Sequence, residues 1–312
     1  MGRNPEHPSV RPPEVVHTRS EVASYLGYLL RKIRVLAAKR SAASAVAHGG
    51  EGLGDRARLK EMAVLLLLRQ DGPSSQQALA HRLAINRSVM VKVVDELERN
   101  GLARRAEDPR DRRRHAVTIT AAGDQRAAAL VEWAYEVESA IVARLEPAAR
   151  HRLVGLLGTL SAAHRPPLPP PLGTALLWLV TALDHDLEEL ADDQLAPLGL
   201  NTRAFVALAI VDGACGAQSD LGAAMAIGPA ATVELVDQLE GAGLLRRVRS
   251  TEDRRQYRLE LTERGESLYR VARPVLEAAS DRFARHLGER GREELLGLLS
   301  VVAGVSEPMK CP

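Results

Sequence analysis

Arg110, Arg112, Arg113 and Arg114 crowd around Asp111 in the polar stretch "EDPRDRRR", which runs into the alternating segment "HAVTIT". Guanidinium groups stay charged at any physiological pH and present planar forks of donors, so this is chemistry for holding a polyanion rather than for breaking bonds. Arg249, Arg254 and Arg255 repeat the device later in the chain, again beside an aspartate, Asp253. Patterns that would support catalysis do not occur: no zinc-type His/Cys cluster, no glycine-rich phosphate loop, no nucleophile elbow. Cys215 and Cys311 lack metal-ligand spacing and suggest a reducing compartment. These residues argue for a binding protein and not an enzyme, with no cofactor and no metal.

Both arginine-rich stretches lie inside a repeat. Residues 76–123 recur at 218–265 with a constant shift of 142, and 18 of the 48 aligned pairs are identical. The identities include Val91/Val233, Asp95/Asp237, Glu98/Glu240, Gly101/Gly243, Arg105/Arg247, Thr120/Thr262 and Gly123/Gly265. The register persists to Leu153/Leu295 and Pro166/Pro308, so the chain reads as two copies of one domain in line. A proline-rich arm at 1–18, expected to be disordered, precedes a first domain at 19–165. A linker at 166–171 and a second domain at 172–308 follow. Pro166 to Pro171 should form a stiff polyproline spacer of roughly 19 Å, at about 3.1 Å per residue.

The elements that must position the cationic groups can be read in order. A long helix from about Ser20 to Ala47 carries Leu26, Leu29, Leu30, Ile33 and Leu36 near one stripe. A second helix spans about 56–70, and Ser74 or Ser75 caps a short third one ending near Leu83. Asn86 caps the next helix, which Gly101 stops; Val91, Val94 and Leu97 should face inward with Ile85. Arg87, Ser88 and Lys92 then point outward. Short helix, tight turn and capped second helix make a helix-turn-helix, whose outward donors suit base edges in a major groove. "LARRA" and "HAVTIT" form a β-hairpin with a basic tip, and 122–164 returns to helix. The second copy replays the plan, with Pro229 opening the outward-facing helix.

Charge divides the chain unevenly. Residues 1–165 hold 27 basic against 18 acidic residues, a balance of +9, whereas 166–312 hold 15 against 22, a balance of −7. A polyanion should therefore meet the first copy more strongly than the second. The longest apolar run, "AVLLLL" at 63–68, is far short of the roughly 18–20 residues that cross a bilayer. No signal peptide is evident at the N-terminus, and Glu6 spoils a myristoylation motif. A cytoplasmic protein with no membrane partner is expected.

Helix, helix-turn-helix, a basic hairpin reading "D-R-R…T…G" and long C-terminal helices together resemble the multiple-antibiotic-resistance regulator (MarR) family of winged-helix DNA-binding proteins. The likeness covers both copies. It is carried by "LVDQLEGAGLLRR" with "DRRQYRLELTERG", and by "VVDELERNGLARRAEDPRDRRRHAVTITAAG". It implies a mainly α fold with small β-wings (α+β): tandem winged helix-turn-helix domains whose N- and C-terminal helices join as an intramolecular pseudo-dimer, so that a monomeric chain is expected. It also implies that Arg113 and Arg255 enter minor grooves while Asp111 and Asp253 brace the wings. Double-stranded DNA is the implied partner, and the implied function is sequence-specific transcriptional regulation, as a repressor.

The second copy departs from the family pattern, with Pro229 in place of Arg87, Ala230 of Ser88 and Glu234 of Lys92. Thr232, Arg249, Arg254 and Arg255 are then its best remaining DNA contacts. Family members are released by small, often aromatic or phenolic effectors lodged between the dimerisation helices and the winged domain. Tyr25, Tyr28, Trp133, Trp178 and His185 are the candidate lining here, and core packing competes for each. No cysteine lies in 20–47 or 174–195, so the family's thiol sensing is not expected. Two other classes stay open: a small-molecule-binding protein or enzyme on a co-opted scaffold that has lost DNA binding, and a protein-interaction module using the acidic second copy.

Overall fold

A computed structural model describes residues 25–47, 55–108, 111–213, 217–225, 227–249 and 257–305; the side chains of 43–47, 55, 107–108 and 111–115 are outside that description. The arm at 1–18, the tip residue Arg110 and the wing residues Asp253, Arg254 and Arg255 therefore lie outside the described residues, as do the side chains of Asp111, Arg112, Arg113 and Arg114.

The first copy consists of α1 (Leu26–Ala47), α2 (Asp55–Asp71), α3 (Gln76–Leu83), α4 (Arg87–Arg99), β1 (Ala103–Asp108), β2 (Asp111–Ile119), α5 (Ala121–Ile141) and α6 (Pro147–His164). The second repeats it as α7 (Leu176–Leu195), α8 (Thr202–Asp212), α9 (Gln218–Met225), α10 (Pro229–Gly241), β3 (Leu245–Arg249), β4 (Tyr257–Leu261), α11 (Glu263–Ala284) and α12 (Gly288–Ala303). Each hairpin is a two-stranded antiparallel sheet, registered Ala103↔Ile119 and Leu245↔Leu261 at its base. An isolated bridge adds a third edge in each copy, Ser74↔Val117 and Ala217↔Arg258, tying the wing to the start of the helix-turn-helix.

The identities of the repeat are explained by the joint between wing and helices. Gly101 and Gly243 end the outward-facing helices at φ 68°, in the left-handed region that L side chains avoid. Thr120 caps α5 by accepting from the Gly123 amide, and its hydroxyl donates to the Gly101 carbonyl at 2.7 Å. Thr262 does the same with Gly265 and with Gly243, the latter at 2.6 Å. A side chain needs a hydroxyl at that place to join three elements at once.

Two apolar cores run through the molecule, and neither is confined to one copy. The first combines Leu26, Leu29, Leu30 and Ile33 of α1 with the α2–α5 bundle, the start of α7, and Phe283, Leu295 and Leu299 from the far end of the chain. The second fills the α8–α11 module, with Tyr25 and Tyr28 of the first copy packed against it. Thus α1 packs on α7 and α12, and α6 packs on α7 and α12. Helices that are amphipathic but cannot close a core within their own copy bury their apolar stripes against the other copy.

Arg152 and Glu294 are the same position in the two copies, 142 residues apart, and they meet in an ion pair of 2.7–2.8 Å. In a two-fold assembly only residues on the axis meet their own equivalent. The contact is the one that a local pseudo-two-fold between the copies would make.

The joint differs from the straight spacer expected at 166–171. The Gly173 amide donates to the Pro169 carbonyl at 3.0 Å, and Leu172 is buried, so the chain turns back at once. Arg165, which precedes the prolines, forks onto Asp186 and donates to the Leu83 and Ala182 carbonyls. Neighbouring helix ends are already close, so the prolines shape a packed corner instead of spanning a gap. Among the described residues no single helix is long and apolar enough to cross a membrane.

Candidate nucleic-acid interface and ligand clefts

Asn86 starts α4 by accepting from the Ser88 amide and hydroxyl, both at 2.9 Å, and this leaves Arg87, Ser88 and Lys92 exposed. The inward stripe differs by one residue from the expected set. Met90, Val94 and Leu97 are buried, whereas Val91 is 38% exposed. Steps of four and three follow the 3.6-residue turn, while a run of threes drifts off the face. Val91 consequently lies among the outward donors, beside Ser88 and Lys92.

This shift of face carries over to the second copy and overturns one expectation. Thr232 is the equivalent of Met90 and is 3% exposed; its hydroxyl donates to the Gly228 carbonyl at 2.9 Å and packs over Gly222. It serves helix packing and does not face a groove. The α10 surface presents Pro229, Ala230, Val233 and Glu234 instead, with Val233 44% exposed. Arg249, at the end of β3, is exposed.

A strut that motif spacing alone does not single out joins each outward helix to its wing. The Arg105 guanidinium contacts Asp95 at 2.5 Å and also pairs with Glu98, which accepts from the Arg105 backbone amide at 2.6 Å as well. Arg247 repeats this with Asp237 at 2.6 Å and with Glu240. All six residues belong to the identical pairs of the repeat, and that was the available signal. One guanidinium held by two carboxylates from successive helix turns sets the angle between helix and hairpin.

Two clefts open between the winged modules and the paired first helices. One lies between α8 and α11, has a volume of about 650 Å³ including its mouth, and is lined by Tyr25, Tyr28, Leu187, Phe205 and Leu276 among others. The other lies between α2 and α5, is about 820 Å³ on the same measure, and is lined by Trp133, Val137 and Leu177 with Arg34 and Arg56. In the repeat α2 matches α8 and α5 matches α11, so the clefts lie between matching helices, although of their lining only Val137 and Ala279 are the same repeat position. Three of the five candidate lining residues are thus at clefts: Tyr25 and Tyr28 at one, Trp133 at the other. Trp178 is 5% exposed within the first core, and His185 stands on the surface against Glu189 at 3.4 Å. Neither lines either of these two clefts. An apolar stripe absorbed Trp178, and the solvent face of the same helix carries His185.

Between the clefts lies a charge cluster. Asp184 of α7 is 1% exposed and receives Arg34 at 2.7 Å, Arg31 at 3.6 Å and Arg56 at 3.9 Å; Arg31 also pairs with Glu188 at 2.5 Å. Glu138 of α5 accepts from the Leu177 amide at 3.0 Å, capping α7 from another helix. Burial pushes its carboxyl up from 4.5 to about 7, against the pull of the Leu177 and Leu176 amides, which favour the anion. A raised folded-state value means that the folded chain holds this proton more tightly. The contribution is fully present below pH 4.5 and is lost as pH rises through about 7. At about 1.36 kcal/mol per pH unit this amounts to roughly 3 kcal/mol. Urea unfolding at pH 5 and pH 8 should show Glu138→Gln flattening that decline relative to the parent chain; equal slopes in both would refute the assignment.

Comparison with known proteins agrees with this architecture. The MarR family model matches the chain twice, at 59–115 and at 204–257. A protein of Thauera aromatica described as a putative transcriptional regulatory protein for the hcr operon is 34% identical over 147 residues, covering 47% of this chain and 84% of that protein. The uncharacterized HTH-type transcriptional regulator YkoM of Bacillus subtilis (strain 168) is 33% identical over 101 residues, 31% of this chain and 63% of that protein. Among solved structures, the transcriptional repressor CouR bound to a 23-mer DNA duplex is 29% identical, with a TM-score of 0.41 over 43% of this chain and 96% of that one. The chain belongs to the MarR family of winged-helix transcriptional regulators and carries two copies of the family's module.

Proposed function

We propose that this chain is a single-chain, sequence-specific repressor that straddles a DNA duplex with its two unequal winged modules and is released by a small aromatic effector. The observation that carries this reading is the Arg152–Glu294 pair on the local two-fold. An axis position occupied by two arginines or two glutamates would repel, so pairing within the chain is favoured over pairing of like copies between chains. The pair is exposed and screened by solvent, so it selects the partner without supplying the strength. The shared cores supply that, and tethering makes the association intramolecular.

The two outward helices favour unequal half-sites. Arg87 and Lys92 of α4 add two cations beside phosphates and base edges, while α10 offers Pro229 and Glu234 at those positions. Val91 and Val233 are exposed at the same place in both, which suits a thymine methyl in each half-site. Arg113→Ala should therefore weaken binding about tenfold or more, since a charged hydrogen bond contributes roughly 1.5–3 kcal/mol. Arg255→Ala should weaken it less. Band-shift titrations at fixed salt on a duplex selected from a random pool would measure both, and equal losses would refute the asymmetry. Affinity should fall steeply with salt.

Release follows from where the clefts lie. Each is walled by one winged module and by the shared first helices, so a ligand wedged there biases the spacing of α4 and α10.

A further inference from the structure

The two winged modules are attached to the helical base in different ways. The first shares its core with the base: Leu79, Leu83 and Met90 of the helix-turn-helix belong to the same apolar cluster as Leu153 of α6, Leu176 of α7 and Leu299 of α12. The second has a core of its own, built from Leu221, Val236, Leu245 and Leu259, with Tyr25 and Tyr28 of α1 as half-buried neighbours. A polar lock adds to the difference. Leu83 ends α3, so its carbonyl is one of the last-turn acceptors that a helix leaves without a donor of its own. Arg165 donates to it from Nη1 at 3.0 Å, forks onto Asp186 from Nε at 2.5 Å, and reaches the Ala182 carbonyl from Nη2 at 3.3 Å. Its side chain is only 8% exposed. One rigid fork thus ties the turn of the first helix-turn-helix to α7. In the repeat Arg165 matches Glu307, which lies outside the described residues. An ionised carboxylate has no proton to give a carbonyl, so residue type alone rules out the same lock in the second copy.

The helix that joins each wing to the base differs as well. α11 carries Pro274 in its interior, where α5 has Glu132. Proline has no N–H for the Arg270 carbonyl and its ring crowds that carbonyl, so helices bend at such a residue. Pro274 also stands between the two cores: Ala272, before it, is buried in the second, and Phe283, beyond it, is buried in the first. The weak point of the helix therefore falls at the boundary between module and base. We propose that Arg165 is a positioning residue that fixes α4 to the base, and that the second winged module, lacking this lock, pivots about Pro274. The first module then sets where the chain sits on a duplex, and the second adjusts to the half-site it meets. The consequence for DNA rests on the reading above; the motion itself does not. The module held still is the one with the cationic outward helix.

Distances between spin labels on the full chain test the proposal. In a chain carrying Cys215→Ser and Cys311→Ser, one label enters α7 through His185→Cys, and the other enters α4 through Lys92→Cys or α10 through Glu234→Cys, all exposed positions. The α7–α10 distance distribution should be about twice as wide as the α7–α4 one, or more, as a pivot differs from a packed joint. Arg165→Gln should broaden the α7–α4 distribution and leave α7–α10 unchanged. Arg165→Lys, with donors but no fork, should broaden it less. Pro274→Ala should narrow α7–α10 alone. Equal widths in the parent, an α7–α4 width indifferent to Arg165→Gln, or an α7–α10 width indifferent to Pro274→Ala would overturn the proposal. Band shifts read the consequence for DNA. One base pair inserted between the half-sites displaces the second by about 3.4 Å and turns it by about 34°. The parent should then lose about threefold in affinity or less, and Pro274→Ala about tenfold or more; equal losses would overturn the adjusting role. A chain that binds no duplex refutes the repressor reading and leaves the spin-label result standing.

Discussion

Replacing Asp184 by alanine should cost about 3–5 kcal/mol of stability, the usual penalty for breaking a buried charge cluster by removing one partner. The side chain is 1% exposed and is the meeting point of Arg34, Arg31 and Arg56 from two helices of the first copy. Without it three guanidiniums face one another, with Glu188 alone left to neutralise them, in the joint that binds α1 to α7. Coulomb repulsion at that depth is weakly screened. The same truncation at Asp124 gives the contrast. Its ion pair with Arg69 is equally short, 2.6 Å, but the two side chains are 48% and 41% exposed. Water replaces such a partner readily, and Asp124→Ala should cost far less than Asp184→Ala. Urea unfolding of both variants at pH 7 compares them; similar losses would mean that the cluster contributes nothing beyond an ordinary surface pair. Because α1 and α7 come from different copies, Asp184→Ala should also loosen the grip on DNA in a band shift, whereas Asp124→Ala should not.

Alanine at Gly123 or Gly265 should be almost as damaging, for a steric reason. A Cβ at Gly123 would lie 2.0 Å from the Leu102 carbonyl oxygen, and at Gly265 1.9 Å from that of Leu244. Neither contact yields by a side-chain rotation, since the obstacle is backbone. The first turn of α5 or α11 must then move off the wing, breaking the Thr120 or Thr262 cap, at a cost of about 2–3 kcal/mol or more. Gly155 and Gly158 of α6 and Gly297 of α12 supply the control, for nothing lies within 4 Å of a Cβ built on them. Alanine there should stabilise by about 0.5–1 kcal/mol through helix propensity and a less flexible unfolded chain. Thermal melting of the paired variants gives opposite signs if this account holds. A rise in melting temperature for Gly123→Ala would refute it.

Much of this architecture was readable in the amino-acid sequence, because it rests on short-range rules. The caps at Ser75 and Asn86, the glycine stops, the alternating hairpins and the helical stripe Leu26–Ile33 each follow from local backbone chemistry. The repeat multiplied that information. A shift of 142 made every local signal appear twice, and the identical pairs turned out to be the wing joint: Arg105 with Asp95 and Glu98, Thr120 with Gly101 and Gly123.

Failures came where a residue's role depends on which side of a helix meets another element. Met90 and Val91 are neighbours with similar apolarity, and only packing against α3 and the wing decides that Met90 goes inside. Thr232 followed the same rule and left the proposed surface. Trp178 and His185 are seven residues apart on one helix, close enough in angle to pass as a single face, and the crossing of α1 over α7 buried one and left the other in water.

Composition and spacing were enough to determine that the chain is a duplicated helix-turn-helix with a basic hairpin, a basic first half and an acidic second, since charge and periodicity are properties of each residue and its near neighbours; the regulator's role was implied by the family resemblance. Only the tertiary structure decided that Arg152 meets Glu294 and that Asp184 gathers three arginines. Those contacts join residues 128 to 153 positions apart. No local rule reaches across that distance; the interlocking of helices that cannot bury their apolar faces alone does.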